Sequence, residues 1–358
     1  MLIKNGTVHT LDTPVIPNGF VAVRDGKIAM VGPMEECPET WAGEIYDAQG
    51  GHICPGFVDA HCHLGVFGDA IGFEGDDGNE MTDPCTPHLR AIDAVNAQDR
   101  CFKEARLGGV TTVLTGPGSA NPISGQFAAL KTSGRWVDEM ILKAPVAMKL
   151  ALGENPKSVY NERHETPVTR MATAALIREN LFKAKEYAEK LDRAAEDEDE
   201  EKPDYDAKLE ALLPVIRGEL PVHIHAHRAD DIATGIRICK EFGLKYVIVH
   251  GTEGYLISDL LAQEGGGGHH RSQSGRPLQA GAGQHDHGKS RPADHGGGKD
   301  RYLHRPPRDP HPASAHVRRT CHQGRYDPRN GAGRYHPLAC RNCRPGGQAG
   351  HLDRGQGC

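Results

Sequence analysis

Three short apolar segments that each end in histidine constrain the fold of this chain more than any other feature. "HICPGFVDAHCH" leads into His61 and His63, "LPVHIHAHR" carries histidines at 223, 225 and 227, and "LKYVIVH" ends at His250. Helical segments such as "TAALIRENLFKAKEYAEKL" separate these apolar runs. Strands that alternate with helices pair in parallel, and their carboxyl ends meet at one edge of the sheet. The sequence therefore predicts an α/β fold with its histidines at that edge.

The histidines also predict a metal site. Residues two apart in a strand point to the same face, so His61 and His63 can direct both imidazoles at one cation. An isolated pair of this kind is as often two surface histidines. Three strands that all end in histidine favour a shared divalent metal, since a catalytic site binds neutral imidazoles and keeps a position open for water.

The composition changes abruptly after Glu264. The last 94 residues contain no Ile, Met, Phe, Trp or Glu, but they hold 11 of the 21 histidines and 14 arginines against two lysines. Their formal charge is about +10, and that of the remainder is about −16. The asymmetry is compatible with a nucleic-acid-binding arm. The lack of apolar residues instead predicts a disordered tail over residues 265–358.

The cysteines give little support for a second metal site. Cys340 and Cys343 have the spacing of a zinc ribbon, but a ribbon needs another ligand pair at a defined spacing, which Cys321 and Cys358 do not form. The ten cysteines show no disulfide pattern, and neither a leader nor a membrane-spanning apolar run is evident. We expect free thiols, no metal in the tail and a cytoplasmic protein with no membrane partner.

Several segments together resemble the amidohydrolase superfamily, in its imidazolonepropionase-like branch. They begin with "MLIKNGTVHTLD", "GFVAVRDGKIAMVG" and "PGFVDAHCHLG" and continue through "GVTTVLTGPGSANPISGQ" and "HIHAHRADDI" to "HGTEGYLISDLLAQEG". The resemblance covers nearly all of residues 1–264. It implies an N-terminal β-sandwich part over residues 1–54 and a TIM-type (β/α)8 barrel over residues 55–264 that is incomplete at its C-terminal end.

The resemblance also implies a ligand set for one or two divalent ions, with zinc expected. His61 and His63 would be the ligands from strand 1, His225 the ligand from strand 5 and His250 the ligand from strand 6. Lys149, carbamylated, would bridge two ions; its alternative is a solvated lysine, and Glu154 is the second candidate for the bridge. His223 is expected to face elsewhere.

The implied activity is hydrolysis of a C–N bond in a small-molecule amide, cyclic amide or dipeptide-like substrate by a metal-activated water. The Gly-rich and Ser-rich stretch "GSANPISGQ" is typical of a loop at a barrel mouth, although a plain structural turn explains it equally well. No nucleic acid is expected as a partner. The candidate substrate-binding residues are Asn121, Gln126, Glu154, Arg170 and His227.

The family's mechanism needs an aspartate after strand 8, which moves a proton from water to the leaving nitrogen. No segment after Glu264 reads as a strand that would carry it. When the codons of residues 326–357 are read one base later, they are compatible with a family-like C-terminal sequence, and residues 299–311 then admit the aspartate. We therefore predict that residues 265–358 are out of frame. A non-catalytic product that lacks the aspartate is the alternative function.

Overall fold

The computed structural model describes residues 1–68 and 72–266. In these residues the strands form an N-terminal five-stranded sheet and a six-stranded sheet. The strands are β1 (Leu2–Val8), β2 (Ile16–Arg24), β3 (Lys27–Pro33), β4 (Ile45–Asp47), β5 (His52–Ile53), β6 (Phe57–Cys62), β7 (Val110–Thr115), β8 (Ile123–Lys131), β9 (Ile141–Ala151), β10 (Val222–Ala226) and β11 (Tyr246–His250). The α-helices are α1 (Arg100–Leu107), α2 (Val137–Met140), α3 (Glu154–Glu162), α4 (Arg170–Glu196), α5 (Ala207–Ile216), α6 (Ala229–Phe242) and α7 (Ser258–Gly266).

The N-terminal sheet has apolar side chains on both faces. Its strand order is β3-β2-β1-β4, and β5 also pairs with β1. Leu2 packs with Phe20 in one cluster, while the adjacent Ile3 packs with Ile53 in another, because successive side chains of a strand point to opposite faces. All five strands are hydrogen-bonded into one sheet, so the segment that was predicted to start a β-sandwich forms a single sheet here. The domain limits at residues 54 and 264 stay predictions.

The six-stranded sheet is mixed, with the order β11-β10-β9-β8-β7-β6. β6 pairs in parallel with β7, and β9, β10 and β11 are parallel to one another, as an α/β fold requires. β8 is antiparallel to both of its neighbours, so the expectation of a wholly parallel sheet is wrong at this strand. The reason is the connection: residues 116–122 are too few for the crossover of a dozen or more residues that a parallel pair needs.

Strand β10 separates the main core from the histidines. Val222, Ile224 and Ala226 are buried in the largest apolar cluster, which also contains Ile177 of α4 and Ile232 of α6. The helices that connect β9, β10 and β11 thus cover one face of the sheet. The residues between these apolar positions, at 223 and 225, are directed to the opposite face by the two-residue repeat of the strand.

Helix α7 continues through Gly266, two residues into the segment that was predicted to be a disordered tail. The other predictions for this segment lie outside the described residues: the disorder, the shifted frame, the restored aspartate and the Cys340–Cys343 pair. Within residues 1–68 and 72–266, no helix combines the length and hydropathy needed to cross a membrane.

Replacing Ile224 by Ala should destabilise the protein by about 2–5 kcal/mol, because the side chain is fully buried and its removal leaves a cavity in the main core. Urea denaturation measures the change in the free energy of unfolding. Val247→Ala on β11 is the control, since Val247 is 39% exposed and its truncation should cost much less. Equal losses for the two variants would mean that β10 is not the centre of the core.

Candidate metal centre

Histidines from three strands converge beyond the carboxyl ends of the six-stranded sheet. His61 lies on β6 and His63 directly after it, with 5.3 Å between the two ring centroids. His225 of β10 and His250 of β11 have ring centroids 4.6 Å apart. The His61 ring is 5.9 Å from the His250 ring, so the two pairs adjoin. The structure thus brings together all four histidines that were predicted as ligands.

Lys149 of β9 lies next to this cluster. Its side chain is fully buried, and its Nζ lies 3.1 Å from Nε2 of His61 and 5.8 Å from the ring centroid of Phe127. The alternative of a solvated lysine is therefore wrong. Burial lowers the pKa of the Lys149 ammonium to about 7, because the charged form loses its hydration. A substantial neutral fraction at neutral pH follows.

His223 was expected to face elsewhere, and this expectation is wrong. Its ring centroid lies 5.9 Å from that of His61 and 5.7 Å from that of Phe127. The two-residue repeat of β10 puts His223 on the same face as His225, so the sequence already held the signal. Burial, followed by the charge of Lys149, lowers the pKa of His223 to about 4. The imidazole is neutral at physiological pH.

The surroundings of His61 and His63 keep both rings oriented and His61 uncharged. Phe127 stacks on His61 with 4.9 Å between ring centroids and an interplanar angle of 15°. Burial, and next the charge of Lys149, hold the pKa of His61 far below its usual range. Nδ1 of His63 lies 2.7 Å from the carbonyl oxygen of Gly116. Because a carbonyl only accepts, Nδ1 carries the proton and the lone pair of His63 is on Nε2.

His227 belongs to the cluster as well. His225, His227 and His250 place ligand nitrogens within 4.8 Å of one another, which is close enough for one ion. Nδ1 of His227 lies 2.7 Å from Oγ1 of Thr252, a residue that sequence reasoning did not identify. His250 has a left-handed backbone with a φ of 72°. That conformation is uncommon outside glycine and tends to occur at functional sites.

Glu154 and Arg170 have different surroundings. Glu154 is the exposed first residue of α3 and follows the carboxyl end of β9, on the same edge as the histidines. Arg170, predicted to bind a substrate carboxylate, instead donates from Nε to Oδ1 of Asp231 at 2.8 Å. The Asp231 side chain is only 3% exposed. The carboxylate that Arg170 binds is thus internal, and it ties the start of α4 to the start of α6.

The structure does not bring Asn121 or Gln126 to the histidines. Asn121 is 1% exposed, and its Nδ2 donates to the carbonyl oxygens of Glu80 at 2.6 Å and Asp83 at 2.7 Å. Gln126 donates to the carbonyl oxygen of Pro87 at 3.2 Å. Since Phe127 contacts His61, the preceding side chain points to the other face of β8. For Asn121 these contacts match the structural-turn alternative, whereas Gln126 lies within strand β8.

Comparison with known proteins gives two kinds of similarity, although no protein-family profile matches the chain. The amidohydrolase tasK of Hapsidospora irregularis is 32% identical over 283 residues, which are 73% of this chain but 28% of that protein. The imidazolonepropionase of Shewanella frigidimarina is 49% identical over 65 residues, or 16% of each chain. The chain thus spans less than a third of either curated relative.

The second similarity is to a solved structure. The crystal structure of an amidohydrolase from Thermotoga maritima superposes with a TM-score of 0.69 at 46% sequence identity, and the match covers 74% of this chain and 67% of that one. The two chains are therefore similar in amino-acid sequence as well as in fold.

Replacing Lys149 by Met should change how stability depends on pH in the metal-free protein. The pKa of Lys149 is about 7 in the folded protein against an ordinary value of 10.5, so between these values the unfolded chain binds the extra proton. The cost of burying the ammonium is therefore fully present below pH 7 and disappears as the pH rises towards 10.5. The Lys149→Met variant should therefore be more stable than the wild type near pH 7. Its free energy of unfolding should not rise as the pH increases towards 10.5.

Urea denaturation at several pH values between 7 and 10 measures the effect. Lys131→Met, at an exposed position, is the matched control and should keep the wild-type dependence. The same slope in the Lys149 and Lys131 variants would contradict a buried, proton-releasing Lys149.

Replacing Arg170 by Ala should leave the carboxylate of Asp231 buried without its partner. Such a loss costs roughly 3–5 kcal/mol, and the 33% exposure of Arg170 puts the expected change near the lower end. Arg90→Ala breaks the exposed pair with Asp93 and should cost about 0–1 kcal/mol. Thermal and urea denaturation of both variants give the comparison; a cost for Arg170→Ala no larger than that for Arg90→Ala would show that solvent reaches Asp231.

Proposed function

The chain belongs to the amidohydrolase superfamily, and we propose that it hydrolyses a C–N bond of a small-molecule amide with a divalent metal ion. The observation that carries the proposal is the convergence of His61, His63, His225 and His250 above the buried Lys149. Ligands at the carboxyl ends of parallel strands are where enzymes of the barrel class place their active sites. The substrate class is an amide, cyclic amide or dipeptide-like compound.

The six-stranded sheet is, in this proposal, the described part of a TIM-type barrel that follows an N-terminal β domain. β6 and β11 are the outer strands of the sheet among the described residues, yet the His61 and His250 rings at their ends are 5.9 Å apart. The sheet therefore curves enough to bring its two outer strands close together at the edge where the ligands lie. Such curvature is what a barrel requires.

The residues fit a divalent ion by their chemistry. All the candidate nitrogens come from imidazoles, which suit zinc and related transition metals. His61, a candidate ligand, is held neutral by burial, as metal binding requires. Nδ1 of His61 is buried and has no hydrogen-bond partner among the described residues, so a lone pair or a proton there is uncompensated. The residues that would hold one or two ions are His61, His63, His225, His250 and Lys149.

When bound, the ion supplies a water of lowered pKa and polarises the amide carbonyl. The chain's own residues prepare that site. Gly116 fixes the tautomer of His63, and Phe127 covers one face of the His61 ring and excludes water from it. Lys149, when neutral, is able to add CO2 at Nζ with release of a proton, and its carbamate would then offer oxygens for bridging two ions. Glu154 is exposed at the edge of the sheet where the histidines lie, and it is a candidate for contact with the substrate.

The non-catalytic alternative differs in one measurable respect. It keeps every histidine of the cluster and lacks the aspartate that transfers the proton. It therefore predicts metal binding without turnover, whereas the proposed function predicts both. Sequencing the gene across the codons for residues 255–275 shows directly whether the frame changes there.

If the proposed function is right, the purified chain binds zinc through the histidine cluster and hydrolyses at least one compound in a panel of N-acyl amino acids, lactams and dipeptides. Elemental analysis measures the metal, and chelator dialysis followed by added Zn²⁺ tests the dependence of turnover on it. The double variant His225→Ala, His250→Ala should lose metal and activity together, since it removes two neighbouring ligands.

His164→Asn is the matched control, because His164 is exposed, lies outside the cluster and has a left-handed φ of 58° that Asn tolerates. A wild-type chain that binds no metal would overturn the proposal. A chain that binds metal at the cluster and hydrolyses none of the compounds would support the non-catalytic alternative.

A further inference from the structure

Three of the histidines form a compact group that differs from the ligand set implied by the family resemblance. The His227 ring centroid lies 4.7 Å from that of His225 and 4.8 Å from that of His250. The His225 and His250 centroids are 4.6 Å apart, so the three rings form a nearly equilateral triangle. Their ligand nitrogens all lie within 4.8 Å of one another. On sequence grounds, His227 was expected to bind the substrate.

The Thr252 hydroxyl occupies Nδ1 of His227, so Nε2 is the nitrogen left to face the group. The hydroxyl oxygen lies 2.7 Å from Nδ1 of His227. When the hydroxyl accepts the Nδ1 proton, the lone pair of the ring is on Nε2. Metal-ligating histidines are commonly held in this way, by a hydrogen bond from the ring nitrogen that does not face the metal.

Backbone contacts fix the two loops that carry this pair. Gly251 N donates to Ala226 O at 3.0 Å, and Glu253 N donates to His227 O at 2.8 Å. In return, Ala229 N donates to Oε2 of Glu253 at 3.0 Å. The loop after β11 is thus bonded to the loop after β10 on both sides of His227. Thr252 is held opposite His227 by the backbone and not by chance side-chain contact.

We propose that His227, oriented by Thr252, is a metal ligand that completes a three-imidazole site with His225 and His250. The inference deepens the proposed function and rests on its premise that the cluster binds a divalent ion. Three imidazoles with an open position form a known kind of catalytic site, and such a site can hold one ion without Lys149. Thr252 is a positioning residue in this arrangement, and it acts through His227.

Ring stacking is the rival explanation for His227. The His227 and His250 planes are nearly parallel, at 17°, so His227 would then only support its neighbour. Replacing His227 by Phe separates the two explanations, because Phe keeps an aromatic ring and has no nitrogen to coordinate an ion. A supporting role predicts that this variant binds metal normally.

The test uses the full chain and Co²⁺, whose visible absorption reports the ligands around it, together with Zn²⁺ affinity from competition with a chromogenic chelator. His227→Phe should change the Co²⁺ spectrum and weaken Zn²⁺ binding more than any change at Thr252. Thr252→Val should weaken binding by about 10-fold to 100-fold, as expected for loss of a group that orients a ligand. Thr252→Ser keeps the hydroxyl and should restore the affinity, and His164→Asn should match the wild type.

Unchanged spectrum and affinity in His227→Phe, with metal bound by the wild type, would overturn this inference and leave the proposed function standing. No Co²⁺ or Zn²⁺ binding by the wild type would overturn both. If circular dichroism shows that His227→Phe does not fold, the Thr252 pair decides: equal affinities for the Val and Ser variants would overturn the inference, because only the hydroxyl distinguishes them in hydrogen bonding.

Discussion

The burial of basic side chains in neutral form is the constraint on which the rest of the site depends. Lys149 is fully buried, and among the described residues no carboxylate pairs with it. An ammonium there would lose its hydration without compensation, so its pKa falls. The same burial holds His61 and His223 uncharged. Burial thus keeps the lone pairs of His61 and His223 available and reduces the charge on Lys149, which would otherwise repel a cation.

Strand β10 connects this chemistry to stability. Its even-numbered residues, such as Ile224, anchor the main core against α4 and α6, and its odd-numbered residues carry His223 and His225. Because one strand contributes to both faces, the packing that stabilises the protein also fixes the positions of His223 and His225. The hydrogen bonds between the two loops after β10 and β11 extend this order to His227 and His250.

β8 shows how an irregular element contributes to the site. The short connection from β7 makes the strand antiparallel, and this strand supplies Phe127, whose ring contacts His61, His63 and His223. This aromatic ring lowers the local polarity beside His61 and His223, whose imidazoles burial keeps neutral. The neighbouring Gln126 and the preceding Asn121 bind loop carbonyls, which fix the loop over residues 80–87.

Sequence alone determined the α/β class, the resemblance to the amidohydrolase superfamily and the four strand-end histidines, because alternation and strand endings are local patterns. It also contained the information that His223 lies on the same face as His225, because residues two apart in a strand point the same way. Tertiary structure decided the features that depend on distant residues. Arg170 meets Asp231 across 61 positions, His227 meets Thr252 across 25, and Lys149 meets His61 across 88. No local pattern encodes such contacts, because they arise only when packing brings separate strands and loops to the same edge.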